Sequence, residues 1–381
     1  MTRRRDRVGF AVVLTAIIGL LVENGTSSSP WLFVDPWGLL FVLPLYGLHV
    51  LVLARVVLVA RRPSLPLLYV AGALLGLYEA YVTKVLWSPT WGPTDGAMVG
   101  GLHVFQTAVL VLFVHPVLAF IAPLLVAETH LLDAPGQRGG SGLLAGMPPR
   151  LAGMPPRLAA ALRSPRGSVW AAGLFTLVLA AHHAAVPGGP GVVAASALVN
   201  TVVVAVLVWW WKRRYAARPL PSLREILPGR AATGWLAGAL GVLYVASGVL
   251  VRPEALPLTP GPHLVLAAVY AALVGMLVRL TRTGRGGQQD PLNHPGPGSP
   301  APTPEPTPEP TPEPDADEPS RRTVGHRSAL AVFAVGYPLV SAALAAVPPA
   351  AETIVVLSWL VAIPFGAWQL VIAARLSVTT R

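Results

Sequence analysis

Long apolar stretches alternate with short polar segments along the whole chain. Ten of these stretches each hold about 20 predominantly apolar residues, the length at which an α-helix crosses a lipid bilayer. They lie at about 8–23, 37–60, 67–87, 102–126, 168–186, 192–211, 231–251, 263–279, 328–347 and 353–374. The pattern predicts an all-α polytopic membrane protein with about ten transmembrane helices.

The basic residues give this layout an orientation. Of the 28 Lys and Arg residues, all but Lys84 and Arg252 fall on one side of the predicted membrane, in alternate segments or at span ends. Because short cytoplasmic loops carry an excess of Lys and Arg, this side is predicted to be cytoplasmic. Both chain termini lie on it.

The first apolar stretch has a second interpretation. It follows a cluster of arginines within residues 3–7, and a basic segment before an apolar core is also typical of a secretory signal peptide. No Ala-x-Ala cleavage site follows the stretch, so we favour an uncleaved span. On either interpretation the next segment begins outside.

The polar segments divide the chain into three parts. Residues 1–282 form a predicted membrane domain of eight spans, which includes a basic cytoplasmic loop at 133–167 with a tandem LAGMPPR repeat. Residues 283–327 contain TPEPTPEPTPEP and are predicted to be a disordered, extended linker, since this composition favours a polyproline-type conformation without a packed core. Residues 328–381 form a predicted terminal transmembrane hairpin.

Composition supports a membrane location and excludes several kinds of chemistry. The chain is 54% hydrophobic and 12% charged, whereas soluble domains contain about 25% charged residues. The net charge of +11 is explained by membrane orientation, so no nucleic-acid partner is expected. The absence of cysteine rules out disulfides, thiolate catalysis and Cys-ligated metals. We expect a multi-pass protein of a prokaryotic inner (plasma) membrane, with the lipid bilayer and a small molecule or ion as partners.

The third stretch carries the sharpest sign of function. Its segment GLYEAYVTKVLW places Glu79 and Lys84 inside a predicted span, where an ionisable side chain is costly and usually faces a cavity or a partner. Lys84 lies within one turn of the predicted outer end, so its long side chain can reach the interface. Glu79 lies about 12 Å inside, at 1.5 Å per residue, and cannot easily escape.

The flanking spans supply histidines at a similar depth. His49 and His115 each lie about 18–20 Å from the outer face of their spans, and each accompanies a proline that frees a backbone carbonyl. We predict that His49, Glu79 and His115 form a buried polar site among spans two to four. Lys84 and His103, both nearer the outer end, are predicted to extend this site towards the exterior.

Three functions stay open for this cluster. The leading hypothesis is a transporter or permease-like protein in which Glu79 binds a proton or cation and the histidines serve as relay or substrate contacts. The second is a membrane-embedded enzyme that acts on a lipid or lipid-linked substrate, with the same residues as acid–base groups. The third is a non-catalytic scaffold whose Pro/Glu linker recruits partners; the buried polar groups would then only specify helix packing. No histidine motif with metal-ligand spacing is present, so no metal site is predicted and no cofactor is identified.

Overall fold

The computed structural model describes residues 4–58, 63–89, 96–132, 165–286 and 318–379. Within these ranges the protein is a bundle of helices with one short β-hairpin. The elements in chain order are α1 (Arg4–Gly19), π1 (Leu20–Asn24), π2 (Gly38–Val42), α2 (Leu43–Val57), α3 (Leu65–Val82), β1 (Met98–Val99), β2 (Leu102–His103), α4 (Val104–Val109), π3 (Leu110–Ile121), α5 (Ala122–His130), α6 (Pro165–His183), α7 (Gly189–Arg214), α8 (Leu223–Ile226), α9 (Arg230–Leu250), a 3-10 turn (Pro253–Ala255), α10 (Pro260–Gly286), α11 (Glu318–Ala345) and α12 (Pro348–Thr379).

The helices confirm the predicted fold class. In the part of the chain that the structure describes, eight helices are long and apolar enough to cross a membrane. The other two predicted spans are also helical: α1 continues into π1, and α6 has a shorter apolar segment at Val169–His183. The protein is therefore an all-α polytopic membrane protein, as its alternating apolar and polar pattern predicts.

Several helix ends differ from the predicted boundaries. The third span, predicted to reach residue 87, ends at Val82, since Lys84 adopts a left-handed backbone conformation with φ of 63°. The linker was predicted at 283–327, but the helices on both sides extend into this range: α10 continues to Gly286, and α11 begins at Glu318. The TPEP repeat and the LAGMPPR repeat lie outside the described residues.

Helix α3 lies at the centre of the bundle. In its most apolar 18-residue segment 83% of the residues are buried, compared with 11% in that of α12. Helix α3 packs against α9, α10, α12 and π3. Two glycines allow a close approach to π3: a Cβ at Gly72 would overlap Pro116, and a Cβ at Gly76 would lie 2.8 Å from the Leu110 carbonyl oxygen. Small residues at such positions let membrane helices approach closely.

Three helical segments have the wider π geometry, and two of them carry buried ionisable groups. Glu23 lies in π1 and His115 in π3, the segment that also contains Pro116. Proline has no N–H to donate to the helix, so a helix that contains it is locally distorted. Segments of π-helix are often found at functional sites because they change the direction of a side chain.

The terminal hairpin is part of the bundle. Helix α11 packs against α6 and α7, while α12 packs against α3, α6 and π3. The side chain of Tyr337 on α11 is fully buried and its hydroxyl donates a hydrogen bond of 2.8 Å to Asn24 Oδ1 in π1. Helix α11 is therefore bonded to the end of the first span.

Candidate functional site

The structure brings Glu79 and His115 together near the centre of the bundle. Glu79 Oε2 lies 3.6 Å from His115 Nε2, and the two side chains are 14% and 1% exposed. Gly76 lies one helical turn before Glu79, and a Cβ there would lie 3.1 Å from that of His115. The absence of a side chain at Gly76 therefore allows the carboxyl group of α3 to reach the imidazole of π3.

The hydroxyl group of Tyr46 forms a hydrogen bond with the same imidazole nitrogen. Tyr46 OH lies 3.0 Å from His115 Nε2, and the two rings are parallel to within 8°. The other ring nitrogen, Nδ1, lies 3.1 Å from the Leu110 carbonyl oxygen. Because a carbonyl only accepts hydrogen bonds, Nδ1 donates. In a neutral imidazole Nε2 is then an acceptor, and Tyr46 donates to it.

Glu23 completes this cluster and was missed by the sequence analysis. It is buried, its Oε2 accepts a hydrogen bond of 3.0 Å from Ser29, and its carboxyl group interacts electrostatically with the nearby Tyr46 hydroxyl. The predicted first span ended at residue 23, a position at which a carboxylate is normally solvated. The helix instead continues as π1, and the turn from Gly25 to Ser29 covers the carboxyl group.

His49 lies beside the cluster rather than within its chain of hydrogen bonds. Its Nδ1 lies 3.0 Å from the Leu45 carbonyl oxygen, one turn earlier in α2. Its ring meets the ring of Tyr78 edge-on, with 4.0 Å between the centroids. Among the described contacts, His49 bonds to neither Glu79 nor His115. Two of the three predicted site residues therefore converge, and Tyr46 and Glu23 join them.

Lys84 does not extend to the outer interface as predicted. Its side chain is fully buried, and Nζ donates to the carbonyl oxygens of Ser247 at 3.1 Å and Val82 at 3.3 Å. The ammonium group also lies 4.6 Å from the centre of the Tyr81 ring. Because α3 ends early, Lys84 turns inwards and binds one backbone carbonyl of α9 and one of α3 instead of reaching water.

His103, the second residue predicted at the outer end, is also buried. It lies in β2 and its backbone N–H donates to the Leu86 carbonyl oxygen at 2.7 Å. Neither ring nitrogen has a hydrogen-bond partner among the described residues. The positions of His103 and Lys84 therefore do not support a path from the site to the exterior.

A second polar network lies next to Glu23 and fixes its position. His183 Nδ1 lies 2.6 Å from the Asn24 carbonyl oxygen, and its Nε2 lies 2.9 Å from Ser196 Oγ. Asn24 and Asn200 both donate to the Pro30 carbonyl oxygen, at 3.0 and 2.6 Å. These bonds connect π1 and the turn after it with α6 and α7, so they hold in place the segment that carries Glu23.

The described residues place no set of three or more His, Asp or Glu side chains where they would hold a metal ion. The main cluster instead alternates groups that donate and accept protons: Glu23, Tyr46, His115 and Glu79. Such an arrangement can move a proton in short steps from one side chain to the next.

Comparison with known proteins places the chain in a family without assigning it an activity. A family model described as "Uncharacterized membrane protein family" matches residues 12–381. An uncharacterized protein from Archaeoglobus fulgidus is 48% identical over 108 residues, which cover 28% of this chain and 34% of that protein. The match thus spans about a third of that relative's length. No solved structure matches.

Proposed function

We propose that this chain, which belongs to that uncharacterized membrane protein family, is a transporter or permease-like protein that moves a small solute or ion together with a proton. The observation that carries the proposal is the contact of one imidazole nitrogen, His115 Nε2, with both Tyr46 and Glu79. The Tyr46 hydroxyl in turn lies near the Glu23 carboxyl group. A proton can therefore pass between two buried carboxyl groups that lie on different helices.

The proposed proton transfers involve four side chains and need no other reactant. In the starting state Glu23 is protonated and donates to the Tyr46 oxygen, while Tyr46 donates to the neutral His115 Nε2. When Glu23 gives its proton to the Tyr46 oxygen, Tyr46 gives its own proton to His115. The imidazolium then passes the Nε2 proton to Glu79. The net result is one proton moved from Glu23 to Glu79, with Tyr46 and His115 restored.

Burial supports a role for these groups beyond packing. A carboxyl group within a membrane protein costs several kcal/mol in its charged form unless it is paired or protonated. Glu79 Oε2 has no hydrogen-bond partner among the described residues, and its distance of 3.6 Å from His115 is longer than a hydrogen bond. Its Oε2 can therefore take up a proton, and its side chain is still 14% exposed.

The test is an electrical measurement on the full-length protein in proteoliposomes. Currents are recorded on a solid-supported membrane after pH jumps, with and without a panel of candidate solutes: sodium, potassium, amino acids, organic acids and sugars. Wild-type protein should give a proton-dependent current with one solute class. Glu79→Gln should lose at least about 90% of it, as expected when a proton-transfer group is removed. Glu254→Gln, at an exposed position after α9, is the matched control.

Two results would contradict transport. One is an equal current from wild-type and Glu79→Gln proteoliposomes; the other is no current above empty liposomes for any solute class. The second result, combined with turnover of an added lipid by wild-type protein that Glu79→Gln lacks, would instead favour a membrane-embedded enzyme. In that case the same Glu–Tyr–His groups would act as general acid and base.

A further inference from the structure

A groove at the end of the bundle that is predicted to be cytoplasmic combines apolar walls with arginines. It lies between the first half of α1 and the last turns of α7, and has a volume of about 700 Å³. Val8, Val12 and Val206 form part of its wall and are each about half exposed. Arg4 and Arg5 lie at its end, where α1 begins.

Tryptophans of α7 shape the groove. A Cβ at Gly9 would lie 2.9 Å from Cη2 of Trp210, so the absence of a side chain there lets the indole lie against α1. Trp209 is 57% exposed and Trp210 is 39% exposed. Tryptophan prefers the level of lipid headgroups, because its ring is apolar and its N–H is polar. The groove therefore spans the boundary between headgroups and acyl chains.

A salt bridge fixes the two helices that form the groove. Arg214, the last residue of α7, donates from Nη2 and Nε to Asp6 Oδ1 at 2.8 and 3.0 Å. Its guanidinium group also lies 5.8 Å from the ring of Trp210. Asp6 is buried, whereas Arg4 and Arg5 are exposed. The acidic charge is thus already neutralised, and the exposed end of the groove carries net positive charge.

We propose that this groove binds an anionic phospholipid of the cytoplasmic leaflet. Arg4 and Arg5 would bind the phosphate, and one acyl chain would lie along Val8, Val12 and Val206. The distance along α1 from Arg4 to Val12 is about 12 Å, at 1.5 Å per residue, which matches the passage from headgroup to upper acyl chain. Basic sites between helices on the cytoplasmic side bind anionic headgroups in this way. The site is separate from the Glu79 cluster and does not depend on transport.

Native mass spectrometry of the purified, delipidated full-length protein tests the site. Dioleoyl phosphatidylglycerol and dioleoyl phosphatidylcholine are added at equal concentrations, so that only the headgroup charge differs. Wild-type protein should retain phosphatidylglycerol with at least about five-fold preference, and Arg4→Gln/Arg5→Gln should lose the preference. The matched control is Arg279→Gln/Arg282→Gln, which removes two exposed arginines from the same side of the membrane but from α10.

A second variant tests the apolar wall without changing any charge. Val12→Trp fills the groove at a position that is 49% exposed, so the fold should tolerate it, yet phosphatidylglycerol binding should fall. Equal binding of both lipids by wild-type protein would overturn the proposal, as would unchanged preference in Arg4→Gln/Arg5→Gln. Full displacement of the lipid by 10-fold excess inorganic phosphate would also overturn it, since the acyl chain would then contribute nothing.

Discussion

Glu79 and His115 approach to 3.6 Å because Gly76, one turn before Glu79, has no side chain to separate α3 from π3. A Cβ at this position would lie 2.8 Å from the Leu110 carbonyl oxygen, the same oxygen that accepts from His115 Nδ1. The Leu110 carbonyl, which orients the imidazole of His115, therefore contacts α3, the helix that carries Glu79, at Gly76.

Gly76→Ala should lower the stability of the bundle. The added methyl group forces α3 and π3 apart, and overpacking of this kind costs about 1–3 kcal/mol. Gly234→Ala is the matched control because it lies in a transmembrane helix, where an added Cβ would have nothing within 4 Å. Thermal unfolding in detergent should show a lower midpoint for Gly76→Ala and an equal or higher midpoint for Gly234→Ala. Equal midpoints for both variants would contradict the close approach.

The two histidines should respond differently to the same substitution. His115→Gln keeps a polar side chain near Tyr46 but cannot take up a second proton, so the pH-jump current should fall at least about ten-fold. His49→Gln should retain most of the current, because His49 contacts Leu45 and Tyr78 outside the chain of hydrogen bonds. A loss of current in His49→Gln with full current in His115→Gln would show that the wrong histidine had been assigned.

Lysine labelling tests the inward orientation of Lys84. The chain has two lysines, Lys84 and Lys212, and the structure buries the first and exposes the second. An amine-reactive acetylating reagent should modify Lys212 rapidly in the folded protein in detergent and leave Lys84 at least about ten-fold less modified. Peptide mapping by mass spectrometry measures both sites in the same sample. After denaturation both should react, which serves as the control, and similar labelling of both in the folded state would contradict the buried position.

The bond between Tyr337 and Asn24 should contribute to the attachment of the terminal hairpin. Tyr337→Phe removes the hydroxyl group that donates to Asn24 Oδ1. Both residues are fully buried. Interhelical hydrogen bonds in membrane proteins contribute about 0.6 kcal/mol on average and up to about 1.7. We expect a small fall in thermal midpoint with unchanged oligomeric state. A midpoint equal to or above that of the wild type would show that the bond contributes no stability.

The sequence pattern was sufficient to predict the helices but only part of the site. Hydropathy and the distribution of arginines depend on local composition, so the spans could be identified from the chain alone. Glu79 and His115 could be identified as well, since each lies within an apolar stretch. Glu23 could not, because its burial depends on the continuation of α1 as π1 and on the turn that carries Ser29. Tyr46 could not either, since a tyrosine in a span is ordinary until a neighbouring helix places an imidazole beside its hydroxyl group.

The orientation of Lys84 was wrong for a similar reason. A continuous helix through residue 87 would have placed it within one turn of the outer end of the span. The helix ends at Val82 instead, and the left-handed conformation of Lys84 turns the side chain towards the Ser247 carbonyl oxygen. Apolar periodicity gives no signal for such a turn, because Val85 and Leu86 are as apolar as the helix before them.

Tyr46→Phe tests the proposed proton path most directly, because it removes one oxygen atom and preserves the ring that stacks on His115. In the proposed path the hydroxyl group links His115 with Glu23, so the pH-jump current of proteoliposomes should fall at least about ten-fold while the protein keeps its thermal midpoint to within a few degrees. A current equal to that of the wild type, from folded Tyr46→Phe protein, would contradict the path from Glu23 to Glu79.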